Sequence, residues 1–460
     1  MTDFARILSA KQPLTLANVA RGSQPLVMAD LARASTGRAV FIAPDDAAMR
    51  AVTDSAHFFA PELQVIEFPA WDCLPFDRAS PALSVSARRL SALYQLQSGK
   101  KQNQLFVTTI NAVLQRVLTP FRIREAVRAL KPGVEIGRES LIALLQRQGY
   151  SRTDTVADTG EFAVRGSIFD IYPSGLDGGL RLDFFGDELE SLRLFDPQTQ
   201  RTTGTMEGHL LLPASEALID DDSIKRFRSH YRELFGATAT QDPLYEAVSD
   251  GRRLAGMEHW LPLFEEKLST IFDHLAPEDK VVIDAGALQA AEERLTDIAD
   301  YHRQRREIAG QAKGSYRPLD PKALYVPREE LDAAVTAQPI HKSVIFSEPE
   351  GEKVVDFGFR SARDFTPERS AGQNVYAAAA RHFTDLGKAG KRPILAAYSE
   401  GSRSRIASII GEAGAEVAMA ESWQDALGKS AKGKPVALVL PLDTGFANDE
   451  LELVTEQDLL

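Results

Sequence analysis

The sequence predicts a multidomain α/β chain: a sheet domain covered by helices, an α+β unit inserted into it, and a small α/β unit after it. Three observations carry this. The 460 residues amount to roughly three domains of ordinary size. Up to Pro120, short apolar runs alternate with helical periodicity, the pattern of a parallel sheet with helices on its faces. Beyond Pro120 the pattern changes to one helix and then strand-like alternation, which suits antiparallel pairing.

In order, "GRAVFIAP" (Gly37–Pro44) is a buried parallel strand closed by Pro44. "LQVIEFPAW" (Leu63–Trp71) and "QLFVTTI" (Gln104–Ile110) are two more. Between them a helix carries Leu90, Tyr94 and Leu96, with Ser84 as N-cap and Gly99 as stop. The inserted unit opens with a helix that puts Leu141, Leu144 and Leu145 on one face. Next come "TGEFAVRGSIFDIYPSG" (Thr159–Gly175), read as one strand, and a hairpin turning at Gly186-Asp187. "LLLPASE" (Leu210–Glu216) is the return crossing.

Helices dominate from Asp221 to Arg305, around the strand "KVVIDAG" (Lys280–Gly286). "GQAKGSYRPLDPKALYVP" (Gly310–Pro327) reads as a Gly/Pro connector. The last unit has strands at "SVIFSE", "RPILAAYS", "AEVAMAE", "KPVALVLP" and "LELVTEQ", and a helix ended by Gly411 or Gly414. The expected boundaries are 1–120 and 213–309 for the sheet domain, 121–212 for the insertion, 310–337 for a linker and 338–460 for the last domain. The chain stops at "TEQDLL", straight after a strand, which reads as a cut within a longer protein.

Composition excludes several functions. With 53 basic and 65 acidic residues the formal net charge is −12, whereas tight non-specific nucleic-acid binding draws on a basic surface. No run approaches the ~18–20 apolar residues of a membrane span, and "MTDFARILSA" is not a signal peptide. The single cysteine, Cys73, forbids an internal disulfide and fits a reducing cytoplasm.

Catalytic motifs are missing. The only Gly-Lys-Ser, at Gly428–Ser430, has Trp423 where a phosphate loop needs its first glycine. "RGSQPLVMADLARAS" (Arg21–Ser35) stands in a phosphate-loop position but lacks the lysine and the second glycine. Asp284 could hold magnesium, yet Ala285 follows it where an acidic base is wanted. The eight histidines form no zinc motif. Trp260 in "MEHW" reads as packing, and Cys73 as a bystander thiol without a sequence-adjacent histidine.

The hairpin is more informative. A Gly186-Asp187 turn pairs Phe185 with Glu188, Phe184 with Leu189 and Asp183 with Glu190. Leu182, Phe184 and Leu189 then share the core face, while Arg181, Asp183, Phe185, Glu188 and Glu190 share the other. An aromatic beside an arginine on an outward face suits a protein–protein hot spot. Two plainer readings remain open: an adjoining domain covers Phe185, or Arg181 pairs with Glu190 on a solvated face. Arg165 is ambiguous, because in a single strand Phe169 and Ile171 share its face.

"GEFAVRGSIFDIYPSG…LRLDFFGDELESLRLFDPQTQRT" strongly resembles a signature shared by the excision-repair protein UvrB and the transcription-repair coupling factors, the Mfd family. "FPAWDCLPFDRASP…SARRLSALYQL", "GMEHWLPLF" and "LELVTEQDLL" are similar to the coupling factors. The short spacing from Pro81 to Arg88-Arg89 leaves no room for UvrB's DNA-clamping hairpin. The resemblance implies a degenerate P-loop helicase-like, UvrB-like domain without nucleotide binding and with an inserted UvrA-binding domain. It implies UvrA contacts at Arg165, Arg181 and Phe185, no catalytic residue, and no cofactor or metal in this stretch. For the longer parent it implies an ATP- and magnesium-dependent double-stranded DNA translocase that displaces stalled RNA polymerase. A C-terminal domain of that parent would mask the UvrA surface. The alternative is a UvrB-like ATP-dependent helicase module.

Overall fold

The computed structural model describes residues 4–97, 102–236, 242–309, 316–337 and 339–460. The chain first lays down β1 (Thr15–Ala17), β2 (Ala39–Ala43), β3 (Gln64–Phe68) and β4 (Gln104–Thr109). All residues of β2 and β4 are buried, as expected of apolar runs covered on both faces. The helix Asp46–Phe59 starts where the Asp45 side chain accepts from the Ala48 amide, satisfying one of the helix's open donors. The helix Leu83–Gln97 begins one residue before the expected cap, so Ser84 lies inside it; Gly99 lies outside the described residues.

The insertion leaves and rejoins this domain through a paired neck. β5 (Arg128–Leu130) and β12 (His209–Leu211) run antiparallel and place the two crossings side by side. Between them lie the helix Arg138–Arg147 and a sheet of six strands. These are β6 (Ser151–Arg152), β7 (Glu161–Arg165), β8 (Ile168–Ile171), β9 (Gly179–Phe185), β10 (Glu188–Phe195) and β11 (Thr202–Met206), ordered β11-β10-β9-β8-β7-β6. Leu141 and Leu145 of the helix pack with Phe162, Phe169, Leu182, Phe184 and Leu189 on one sheet face. Burying several such side chains, each contributing about 1.5–3 kcal/mol, sets which face of the sheet looks outward.

The chain then returns through β13 (Lys280–Asp284), β14 (His341–Ser343) and β15 (Val354–Asp356). The sheet order is β15-β1-β14-β13-β2-β4-β3, with every pairing parallel. Two expectations are corrected here. The strand expected at "SVIFSE" ends at Ser343 and lies between β1 and β13 of the first sheet, not in the last unit. The expected linker is also largely packed: Tyr316, Leu319, Leu324, Tyr325, Val326 and Leu331 belong to the first domain's core. Among its described residues, Pro318, Pro321 and Pro327 make the backbone irregular while the apolar residues between them still reach the core.

The last unit carries β16 (Arg360–Ser361), β17 (Arg392–Ala397), β18 (Ala418–Met419), β19 (Val436–Val439), β20 (Phe446–Ala447) and β21 (Leu451–Thr455). The order is β16-β20-β21-β17-β19-β18. β16 and β20 are antiparallel additions at one edge that the sequence patterning did not announce. The helix Glu400–Glu412 runs through Gly411, and it is Gly414, at φ +102°, that follows its end. Among the described residues no helix is long and apolar enough to cross a membrane.

Candidate partner-docking surface

The stretch expected to be one strand is a hairpin. Gly166, at φ +61°, turns the chain, and β7 pairs antiparallel with β8 so that Arg165 faces Ile168. The turn reverses the parity that had left Arg165 ambiguous. Phe169 now faces Val164 and Leu182, Ile171 faces Phe162, and both are buried on the core side. Arg165 lies on the opposite face with Ile168, and the next strand places Asp183 across from Ile168. Since alternate residues share a face, Arg165, Arg181 and Phe185 lie on one outward face.

The second hairpin turns at Gly186, φ +63°, with the left-handed first turn position of a II′ turn. Phe185 faces Glu188 and Phe184 faces Leu189, as expected, but the third pair differs: Asp183 faces Ser191, because Glu190 is an extra residue in β10. This bulge matters for the core. Without it the register would set Ser191 against Leu182; with it, buried Leu192 takes that place. A one-residue slip moves a whole strand's side chains to the other face, so the bulge keeps an apolar residue inward on both sides of Glu190.

The face is unequal in its electrostatics. Arg181 donates from Nε and Nη2 to the two oxygens of buried Asp170 at 2.6 and 2.9 Å, and its guanidinium lies 4.8 Å from the centre of the Phe195 ring. These hydrogen bonds to Asp170 raise the arginine's pKa above its ordinary value. The expected partner Glu190 is not the one used. Arg193 likewise donates to both oxygens of Asp183 at 2.8 Å, and Ser191 donates to Asp183 at 2.9 Å. Arg165 is exposed and donates to neutral groups, the Asp154 carbonyl at 2.9 Å and Thr155 Oγ1 at 3.0 Å. Phe185 is 79% exposed, more than any other large apolar residue among those described. None of the described residues covers it. The face thus combines one arginine without a carboxylate, two neutralised ones and a bare aromatic ring. Asp183 was already read on this face from the Gly186-Asp187 turn; Asp170 needed the turn at Gly166, and Arg193 the bulge at Glu190.

The other candidate sites separate from this surface. Lys429 of the Gly-Lys-Ser sequence lies in the last turn of the helix Trp423–Ser430 and donates to Asp425 at 2.8 Å and to the Met419 carbonyl at 2.7 Å. At the phosphate-loop position, a short turn at Arg21–Ser23 leads into the helix Gln24–Ala34. There Gln24 Nε2 donates to Asp284 Oδ2 at 2.7 Å. Trp260 is buried and donates to the Arg317 carbonyl at 3.1 Å, a packing role.

Cys73 does meet a histidine: its Sγ lies 3.8 Å from His259 Nε2. Burial pushes the thiol up to about 12 and the imidazole down to about 4. The pair is therefore thiol and neutral imidazole, the reverse of an activated thiolate. No group of metal-ligating side chains occurs among the described residues.

Comparison with known proteins agrees with this architecture. Residues 129–216 match the UvrB interaction domain, the segment between the paired crossings, and residues 386–459 match the MFD D3 domain. The chain is 35% identical over 275 residues to the transcription-repair-coupling factor of Haemophilus influenzae, covering 59% of this chain and 23% of that protein. Its Escherichia coli counterpart is 35% identical over 260 residues, 56% and 22%. The Rickettsia prowazekii factor is 27% identical over 409 residues, 88% of this chain and 35% of that protein. The chain thus spans about a quarter to a third of these relatives. The family resemblance read from the sequence is borne out: stretches of the chain match the UvrB interaction domain and the MFD D3 domain, and it is similar along most of its length to transcription-repair-coupling factors.

Proposed function

We propose that this chain is the UvrA-recruiting part of a transcription-repair-coupling factor, acting in transcription-coupled nucleotide excision repair by protein–protein contact rather than catalysis. One observation supports it above the others: Phe185 stands bare on the same outward face as Arg165, in a domain matching the UvrB interaction domain. An exposed aromatic ring gains by desolvation in a partner's pocket, and an arginine without a carboxylate gains by meeting one. Arg181, locked on Asp170, would offer a fixed shape and its remaining donor edge.

The longer protein would supply an ATP- and magnesium-driven double-stranded DNA translocase that engages RNA polymerase in the cytoplasm, and a C-terminal domain that masks this face until it is needed. Within this chain, the Gln24 amide on Asp284 favours a sheet without nucleotide over the ATP-dependent helicase alternative. A pull-down of purified UvrA by wild type, Arg165→Ala and Phe185→Ala tests the reading. Capture is expected to fall in both variants; equal capture by all three would refute it. Heat of binding on titration with ATP and magnesium would revive the helicase reading.

A further inference from the structure

In an α/β sheet that binds phosphate, backbone amides between the first strand and its helix point at the anion. Here three amides of that turn are spent inside the protein. Asn18 donates to the Phe346 carbonyl at 3.0 Å, Val19 to the Val344 carbonyl at 3.0 Å and Ser23 to the Ala20 carbonyl at 2.8 Å. Where a phosphate-loop hydroxyl and an aspartate would share magnesium, the Gln24 amide donates directly to Asp284.

The last domain approaches the same turn at Gly22. A Cβ on Gly22 would lie 2.0 Å from the Thr444 carbonyl oxygen and 3.2 Å from that of Gly445, so only glycine permits this approach. The covering segment is itself held in shape. The Gly445 amide donates to Asp458 Oδ2 at 3.0 Å, Thr455 donates to the same oxygen, and Tyr398 donates to Asp443 at 2.6 Å. Next in sequence, buried Phe446 meets Phe59 edge-on at 6.5 Å and Phe359 at 5.5 Å. Trp423 meets Phe59 at 5.0 Å, and Ser55 donates to the Pro441 carbonyl at 3.3 Å.

We propose that the turn at residues 18–23, placed where such sheets hold phosphate, is the dock of the last domain, with the 443–446 segment seated over Gly22 in the position a nucleotide phosphate would take. Two carbonyl oxygens face the turn where phosphate oxygens would, and an aromatic cluster beside them supplies apolar burial. The lost nucleotide motif and the position of the last domain become one feature. The proposal is independent of what the insertion binds.

Hydrogen exchange on the whole chain tests it. Gly22→Val forces a side chain against backbone. Amides at 18–24 and at 441–447 should then exchange at least about tenfold faster, while those of β8–β10 keep wild-type rates. Phe446→Ala attacks the dock from the other side and should speed the same two segments, which decides the matter if Gly22→Val does not fold. Unchanged exchange at 441–447 in folded Gly22→Val, or an effect confined to one of the two segments in Phe446→Ala, would overturn the proposal. ATP with magnesium should leave both segments of wild type unchanged; protection of 18–24 with release of 441–447 would also overturn it.

Discussion

Two turns that begin with similar resources end in opposite states. The outward face of β7–β10 keeps Phe185 bare and Arg165 without a carboxylate. The turn at residues 18–23 has the amides of Asn18, Val19 and Ser23 paired, its acid bonded by Gln24 and its glycine roofed by Thr444. Binding capacity is the part of a surface left unsatisfied, since a partner gains only where groups are still solvated and unpaired. By that measure the outward face of β7–β10 is prepared to meet another molecule and the Gly22 turn is not.

The largest effect expected from this contrast is in acid. His259, His274 and His341 are buried in the sheet domain and each is pushed down to about 4 by desolvation. The insertion holds only His209, lowered by the same cause. For a histidine held neutral in the fold, stability is complete above the unfolded value of 6.5 and is lost as pH falls toward 4. Each contributes up to about 3 kcal/mol. Between pH 6.5 and 4 the sheet domain should therefore open before the insertion, as read by hydrogen exchange on both. Simultaneous opening, or the insertion first, would break the contrast.

Next is Asp170→Asn, which takes the charge from a buried partner of Arg181. It should lower the insertion's stability by about 2 kcal/mol, measured by urea unfolding, and it leaves Arg181 un-neutralised. Stability equal to wild type would mean that the pair is only a surface contact. Arg165→Ala should cost about 1 kcal/mol of UvrA affinity with stability within about 0.5 kcal/mol of wild type. The smallest effect is at Cys73: alkylation at pH 8 should be slow in the folded chain, because the thiol is held protonated. Rapid labelling would point to an activated cysteine.

Much of this was legible in the residues. The continuous apolar runs at Ala39–Ala43 and Gln104–Thr109 announced buried parallel strands, and Gly186-Asp187 announced a hairpin with Phe185 outward. Gly166-Ser167 was a turn of the same kind, missed because apolar residues flank it closely enough to pass as one strand. The Glu190 bulge was also hidden, since alternation holds on either side and only the inward demand of Leu192 exposes the slip. The strand read at "SVIFSE" (343–348) was set in the last unit, whereas the strand there is His341–Ser343 in the first sheet, because local pattern specifies a strand but not its neighbours. The Arg181–Asp170 pair joins residues on different strands, and only the register of β8 against β9 brings them together.

The central claim is that the bare ring of Phe185 anchors UvrA, and calorimetric titration of UvrA into three chains tests it most directly. These are wild type, Phe185→Ala, and Phe121→Ala, a control whose ring is 67% exposed at the start of the helix Pro120–Ala126. Phe185→Ala should weaken binding by about 2 kcal/mol, roughly thirtyfold, while Phe121→Ala matches wild type. Equal affinity for wild type and Phe185→Ala, or an equal loss in both variants, would contradict it.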